Sequence, residues 1–213
     1  DPVEQLIWTE GASAKLSPPS TEHWMGTDLY GRDILTRVIY GARISLQISI
    51  AAMGLSVFIG IIMGTLAGYY GGVVDDVISW LINVLYAFPF LLFIIAIVAY
   101  FPPSLVLTFS AISLVYWMSI ARVVRGQVFS IKEKEYIESA RALGVSDLKI
   151  MFKHILPNVI APVIVQGTLG MGSIILIEAS LTYLGFGTQP PTPSWGYMIS
   201  AGQGYLKNGQ WWW

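Results

Sequence analysis

The 213-residue chain is 54% apolar and 12% charged, with a mean hydropathy of +0.62; a water-soluble fold with so few charges would leave broad apolar patches exposed. Its formal net charge of −1 argues against a nucleic-acid partner, which calls for a basic face. The absence of cysteine excludes disulfides, thiolate metal sites and cysteine nucleophiles. No Asp, Glu, Lys or Arg occurs over 44–74, 77–121 or 155–177. Each gap is long enough for one or two membrane spans of about 20 residues.

In chain order, residues 1–43 are polar, with turn formers around Pro18-Pro19. Within them 33–43 reads as a short amphipathic helix, with Ile34, Leu35, Val38 and Ile39 on one face. Arg32, Arg37 and Arg43 are expected at the headgroups; an ordinary helix packed on its own protein is the alternative. A first span is expected over about 44–68. Ala52, Ser56, Gly60, Gly64 and Gly68 recur every fourth residue along it, a ridge of small residues that lets membrane helices approach closely. Tyr69 to Gly72 reads as a tight turn, and Asp75 and Asp76 open a second span running to about Phe101, with Asn83 and Pro89 inside it. Pro102-Pro103 breaks the chain. A third span is expected over 104–121, ending at Arg122 and Arg125, and a fourth over about 158–180. The stretch from Leu184 to Gln210, rich in Gly, Pro and aromatics, reads as an ordered surface loop, and Trp211-Trp212-Trp213 as an interfacial cluster. The non-Met start and this aromatic end suggest a piece of a longer chain.

Residues 132–157, KEKEYIESARALGVSDLKIMFKHILP, carry the most specific pattern. Helix formers run to Leu143, and Gly144 supplies the left-handed residue that ends a helix. Ser146 or Asp147 can cap a second short helix reaching His154, and Pro157 marks the return to the membrane. The apolar side of the first helix comprises Tyr136, Ile137, Ala140 and Leu143, and so short a helix needs a surface to pack on. Its own bundle and a partner protein both qualify.

The segment resembles the EAA loop of bacterial binding-protein-dependent ABC permeases: E-A-A, three residues, G, nine residues, I-x-L-P. Glu138, Ala140, Gly144, Leu156 and Pro157 match in register, whereas Ser139 replaces the middle Ala and His154 the Ile. The stretches MGTDLYGRDILTRVIYGARISL (25–46), EASLTYLGFG (178–187) and QPPTPSWG (189–196) resemble the dipeptide/oligopeptide/nickel class of these permeases. The resemblance implies an all-α, polytopic transmembrane bundle of the type I importer kind, lacking the first and last spans of the family. It implies an extracytoplasmic segment 1–43, a four-span core 44–180 with a cytoplasmic coupling loop 122–157, and an extracytoplasmic loop 181–213. Seven basic residues in 122–157 against five elsewhere lean the same way.

By the same resemblance the chain is a permease subunit in a bacterial or archaeal cell membrane, importing small peptides, nickel chelates or other peptide-like solutes. Its implied partners are ATP-binding subunits, a second permease and an extracytoplasmic substrate-binding protein. Tyr136, Glu138, Ala140, Leu143, Gly144, Leu156 and Pro157 would form the ATPase joint. ATP and Mg belong to the partner, because no lysine here follows a glycine and a P-loop is therefore absent. No catalytic residue, bound cofactor or metal site is expected. Asn83, Gln166 and Glu178 are candidates for a gate or pathway, against the competing readings of helix-joining amides and an interfacial acid with a structural role. A secondary transporter is the alternative function; it predicts inverted repeats or interrupted helices around a midplane site.

Overall fold

The computed structural model describes residues 1, 3, 15–102, 104–206 and 208–213. Pro103 of the expected proline break and residues 4–14 of the polar N-terminal stretch lie outside the described residues. The described elements are α1 (Ile34–Tyr70), α2 (Gly72–Tyr86), α3 (Phe90–Tyr100), α4 (Leu105–Lys132), α5 (Glu135–Ala142), α6 (Asp147–Ile150), a π-helical turn (Met151–Ile155), α7 (Leu156–Tyr183) and α8 (Trp195–Leu206). Three continuous helical stretches, 34–70, 105–132 and 147–183, are long and apolar enough to cross a membrane, and the bent pair α2–α3 can supply a fourth crossing. The chain is an all-α, multi-pass membrane protein.

Two expected helix boundaries move, and two arginines sit elsewhere than expected. The amphipathic helix and the first span are one helix of 37 residues, and Asp33 caps its start by accepting the Thr36 N–H at 2.7 Å. Arg32 and Arg37, expected at the headgroups, are buried; Arg32 is held by Asp28 at 2.7 Å and Arg37 lies 3.7 Å from the same carboxylate. The helix expected to end its apolar part at Arg122 and Arg125 continues through both to Lys132. Arg125 donates to both oxygens of Asp75, and Arg122 donates to Asn83 Oδ1 at 2.8 Å while stacking 4.4 Å from the centre of the Tyr86 ring.

The second span is not one helix. Ala87 and Phe88 close the end of α2 with short-range hydrogen bonds to Asn83, Val84 and Leu85, and Pro89 has no N–H to continue the ladder. The pair bends by 82° at this break.

Contacts group the chain into two compact units, one of residues 1–49, 97–108 and 175–213, the other of 50–96 and 109–174. In the second unit the small-residue ridge of α1 packs on α4. A Cβ added at Gly60 would lie 2.6 Å from the Ile120 side chain, at Gly64 2.5 Å from the Ala121 carbonyl, and at Gly68 2.7 Å from Val128. Ser113 Oγ, from α4, donates to the Ala52 carbonyl at 3.0 Å, continuing the seam. In the first unit, Trp195 donates its indole N–H to the Val38 carbonyl at 3.0 Å, and Gly196 rests on the backbone of Ala179.

Candidate functional site

The segment joining α4 to α7 is built by local chemistry. Lys134 is extended, α5 follows for eight residues, and Gly144 takes a φ of +74°. The Val145 N–H reaches the Ala140 carbonyl at 3.1 Å and the Gly144 N–H reaches Arg141 at 2.9 Å, the paired bonds of a Schellman ending. The open left-handed position is why glycine stands there: a Cβ would meet nothing within 4 Å, so backbone conformation rather than space demands it.

The two sides of α5 separate sharply. Ile137 is 0% exposed and Ala140 9%, both turned into the protein, whereas Tyr136 is 44% and Leu143 84% exposed. Glu138 and Ser139 are exposed as well. Ala140, an expected joint residue, packs inward within this chain, and the outward-facing apolar residues here are Tyr136 and Leu143.

A clamp that no sequence pattern announces fixes this segment. Tyr69, from the last turn of α1, donates its hydroxyl to Asp147 Oδ1 at 2.5 Å, and the Arg141 guanidinium lies 5.2 Å from the Tyr69 ring centre. One buried tyrosine thus holds α5 and α6 against α1. Its partner is 78 positions away, so only the fold brings the three together; the sequence reading placed Tyr69 in a turn and Asp147 as a cap. Ser146 is the N-cap residue, without a side-chain capping bond.

The expected second short helix does not stop at His154. It passes through the π-helical turn straight into α7, the Leu156 N–H bonding to the Met151 carbonyl five residues back. The wider turn makes room for the Pro157 ring, which an α-helix would drive into the carbonyl four residues earlier. The Asn158 side-chain N–H caps the His154 carbonyl at 2.6 Å. Leu156 is half-buried on an apolar cavity of about 350 Å³ that also touches Thr65, Leu148 and Phe152, while Pro157 is exposed.

The candidate pathway residues fall in different settings. Asn83 is exposed and serves Arg122. Gln166 is half-buried and lines a second cavity of about 660 Å³ beside the α2–α3 break. Glu178 is 0% exposed; it accepts from Ser45 at 3.0 Å and Thr182 at 2.9 Å, and Thr182 in turn accepts the Thr188 N–H at 3.2 Å. Glu178 so ties α1, α7 and the following loop together within the first unit.

Residues 56–209 match the family described as binding-protein-dependent transport system inner membrane component. The chain is 46% identical over 199 residues to the dipeptide transport system permease protein DppC of Alkalihalophilus pseudofirmus, covering 93% of this chain and 66% of that protein. It is 45% identical over 197 residues to the oligopeptide transport system permease protein OppC of Escherichia coli, covering 92% and 65%. Identity to the glutathione transport system permease protein GsiD of Pectobacterium atrosepticum is 41% over 182 residues, covering 85% and 60%. The chain thus spans 60% to 66% of the length of these relatives. Among solved structures, the methionine ABC transporter MetNI in its inward-facing form shares the fold, with a TM-score of 0.66 at 17% identity over 81% of each chain. On the strength of the match over 56–209 and of these identities, the chain belongs to the family of binding-protein-dependent transport system inner membrane components.

Proposed function

We propose that this chain is the membrane-spanning permease subunit of an ATP-driven importer of small peptides or related solutes in a bacterial or archaeal cell membrane. It works beside a second permease, two ATP-binding subunits that hold the ATP and Mg, and an extracytoplasmic substrate-binding protein. Segment 122–157 lies on the cytoplasmic side and receives the ATPase. The observation that carries the reading is the outward face of α5: Leu143, 84% exposed, held at the end of a Schellman-capped helix and clamped to α1 by Tyr69.

In this reading Tyr136 and Leu143 enter a cleft of the ATPase, and Glu138 adds a polar contact at its rim. Ala140 and Gly144 shape the segment from within. Leu156 and Pro157, at the π-helical turn, pass its displacement into α7, and the two halves of the importer rock between outward and inward access. Gln166 belongs to the solute pathway, Asn83 to the support of Arg122 and Glu178 to the support of the neighbouring loop.

The absence of cysteine from these 213 residues leaves no competing thiol within them. Single cysteines replace Leu143 and, as a buried control, Ala140 in the full-length protein co-expressed with its ATP-binding subunits. Crosslinking to the ATPase from Leu143, changed by ATP and absent from Ala140, is the expected result. A Leu143 cysteine that reacts with a water-soluble maleimide as fast with the ATPase as without it would refute the joint.

A further inference from the structure

The cavity of about 350 Å³ beside Leu156 lies between the last turns of α1 and the first turns of the helical stretch 147–183. Phe58, Ile62 and Thr65 line it from α1, and Leu148, Phe152 and Leu156 from the other side. Thr65 is the one lining residue with a polar side-chain group. Phe58, Ile62, Leu148 and Phe152 are between 43% and 68% exposed, so the cavity opens outward.

Its depth follows from the helix ends. Tyr69 donates its hydroxyl to Asp147, which sets the end of α1 and the start of 147–183 at one level. No Asp, Glu, Lys or Arg follows Lys153 until 178 on one stretch, and none occurs over 44–74 on the other, so this level is an edge of the hydrocarbon. At 1.5 Å per residue, Phe58 lies about 16 Å inward of Tyr69 and Leu156 about 14 Å inward of Asp147. The cavity thus spans about half of a hydrocarbon core roughly 30 Å thick, the depth of one leaflet. Its size suits an aliphatic chain better than a helix, since one helical turn, 5.4 Å long and 10–12 Å across, fills more than about 400 Å³.

The charges beside it are of one sign. Lys149 and Lys153 each follow a lining residue by one position; both are exposed, and neither has a partner among the described residues. Helix side chains lean toward the N-terminal end, here the membrane edge, and lysine stems carry the ammonium further that way. Two unpaired cations beside an apolar slot of leaflet depth complement a phosphate that carries an acyl chain. The buried Thr65 hydroxyl has no hydrogen-bond partner. It stands four residues inward of Tyr69, about 6 Å, where a lipid ester carbonyl supplies the missing acceptor.

We infer that this cavity seats one acyl chain of an anionic phospholipid whose phosphate is held by Lys149 and Lys153. The inference needs only the membrane placement of the chain and stands apart from the importer reading.

The test uses the otherwise cysteine-free full-length protein in lipid nanodiscs, with a bimane-labelled cysteine replacing Leu55, one turn deeper than Phe58 on α1. Phosphatidylglycerol and phosphatidylcholine bearing the same brominated chains are the quenchers. Half-maximal quenching is expected at about fivefold lower mole fraction of the anionic lipid. Lys149→Gln combined with Lys153→Gln brings that ratio to about one and leaves quenching by phosphatidylcholine unchanged. Ile62→Trp, which fills the cavity, abolishes the preference with both lysines in place and gives a second reading if the lysine variant fails to assemble. Equal quenching by the two lipids with the native lysines present overturns the site and leaves an ordinary lipid-facing surface. A bimane shielded from both lipids overturns it as well, because a protein segment then covers the cavity. A preference that survives both sets of substitutions refutes the assignment to these residues.

Discussion

Replacing Gly64 by alanine probes the seam between α1 and α4. The new methyl would sit 2.5 Å from the Ala121 carbonyl oxygen and 2.7 Å from Val124 Cβ, short of the 3.4 Å at which ordinary contact begins by about 0.9 Å. The nearest obstacle is backbone, so no side-chain rotation relieves it. Gly60 and Gly68, equally close to α4 on either side, prevent a local tilt. Overpacking of this kind costs about 1–3 kcal/mol, partly offset by the roughly 1 kcal/mol that alanine gains over glycine in a helix. The net loss should be at most about 2 kcal/mol. Gly54, on the same helix, has nothing within 4 Å of an added Cβ, so Gly54→Ala should be neutral or slightly stabilising. The assay is thermal unfolding of the purified full-length protein in detergent, each variant against wild type. Equal effects of the two substitutions would refute the claim that this ridge sets the approach of the two helices.

Three further predictions bear on the site and its frame. Tyr69→Phe removes the hydroxyl donated to Asp147 but keeps the ring beside Arg141; stability should fall by only about 1 kcal/mol, while transport per ATP hydrolysed falls several-fold, and an unchanged ratio would remove the clamp from the coupling path. Gly144→Val forces a β-branched residue to a φ of +74°, at a cost of about 1–2 kcal/mol, and should abolish Leu143-to-ATPase crosslinking; Gly144→Asn, which tolerates that conformation, should retain it. Asp33→Ala removes the cap of α1 and should cost about 1 kcal/mol at neutral pH. Burial alone would raise the Asp33 carboxyl, but the hydroxyl and backbone N–H of Thr36 together with His23 outweigh it and hold the group below its ordinary 3.8. The cap's contribution is therefore present above that value and lost as pH falls through the folded one. The wild-type advantage in unfolding temperature should shrink toward zero in that acid range, and a gap independent of pH would rule out the charged cap.

The amino-acid sequence by itself determined the membrane class, the small-residue ridge and the glycine ending of α5, because each depends on composition or on spacing within one helix. Charge-free stretches, a period of four and a left-handed position are written locally. The left-handed place of Gly144 was legible for that reason. Helix length was less so: α4 runs past Arg122 and Arg125, where Asn83 and Asp75, far back in the chain, meet them. Pro89 announced a perturbation, and the 82° bend gave its size. The facing of α5 was undecidable from its own residues, since Tyr136, Ile137, Ala140 and Leu143 are all apolar or small; packing turned two inward and left two out. The Tyr69–Asp147 clamp and the fully buried Glu178 belong wholly to the tertiary structure. Hydrogen bonds between residues 78 and 133 positions apart leave no trace in local pattern, because each partner satisfies its own helix's periodicity whether or not the other is there.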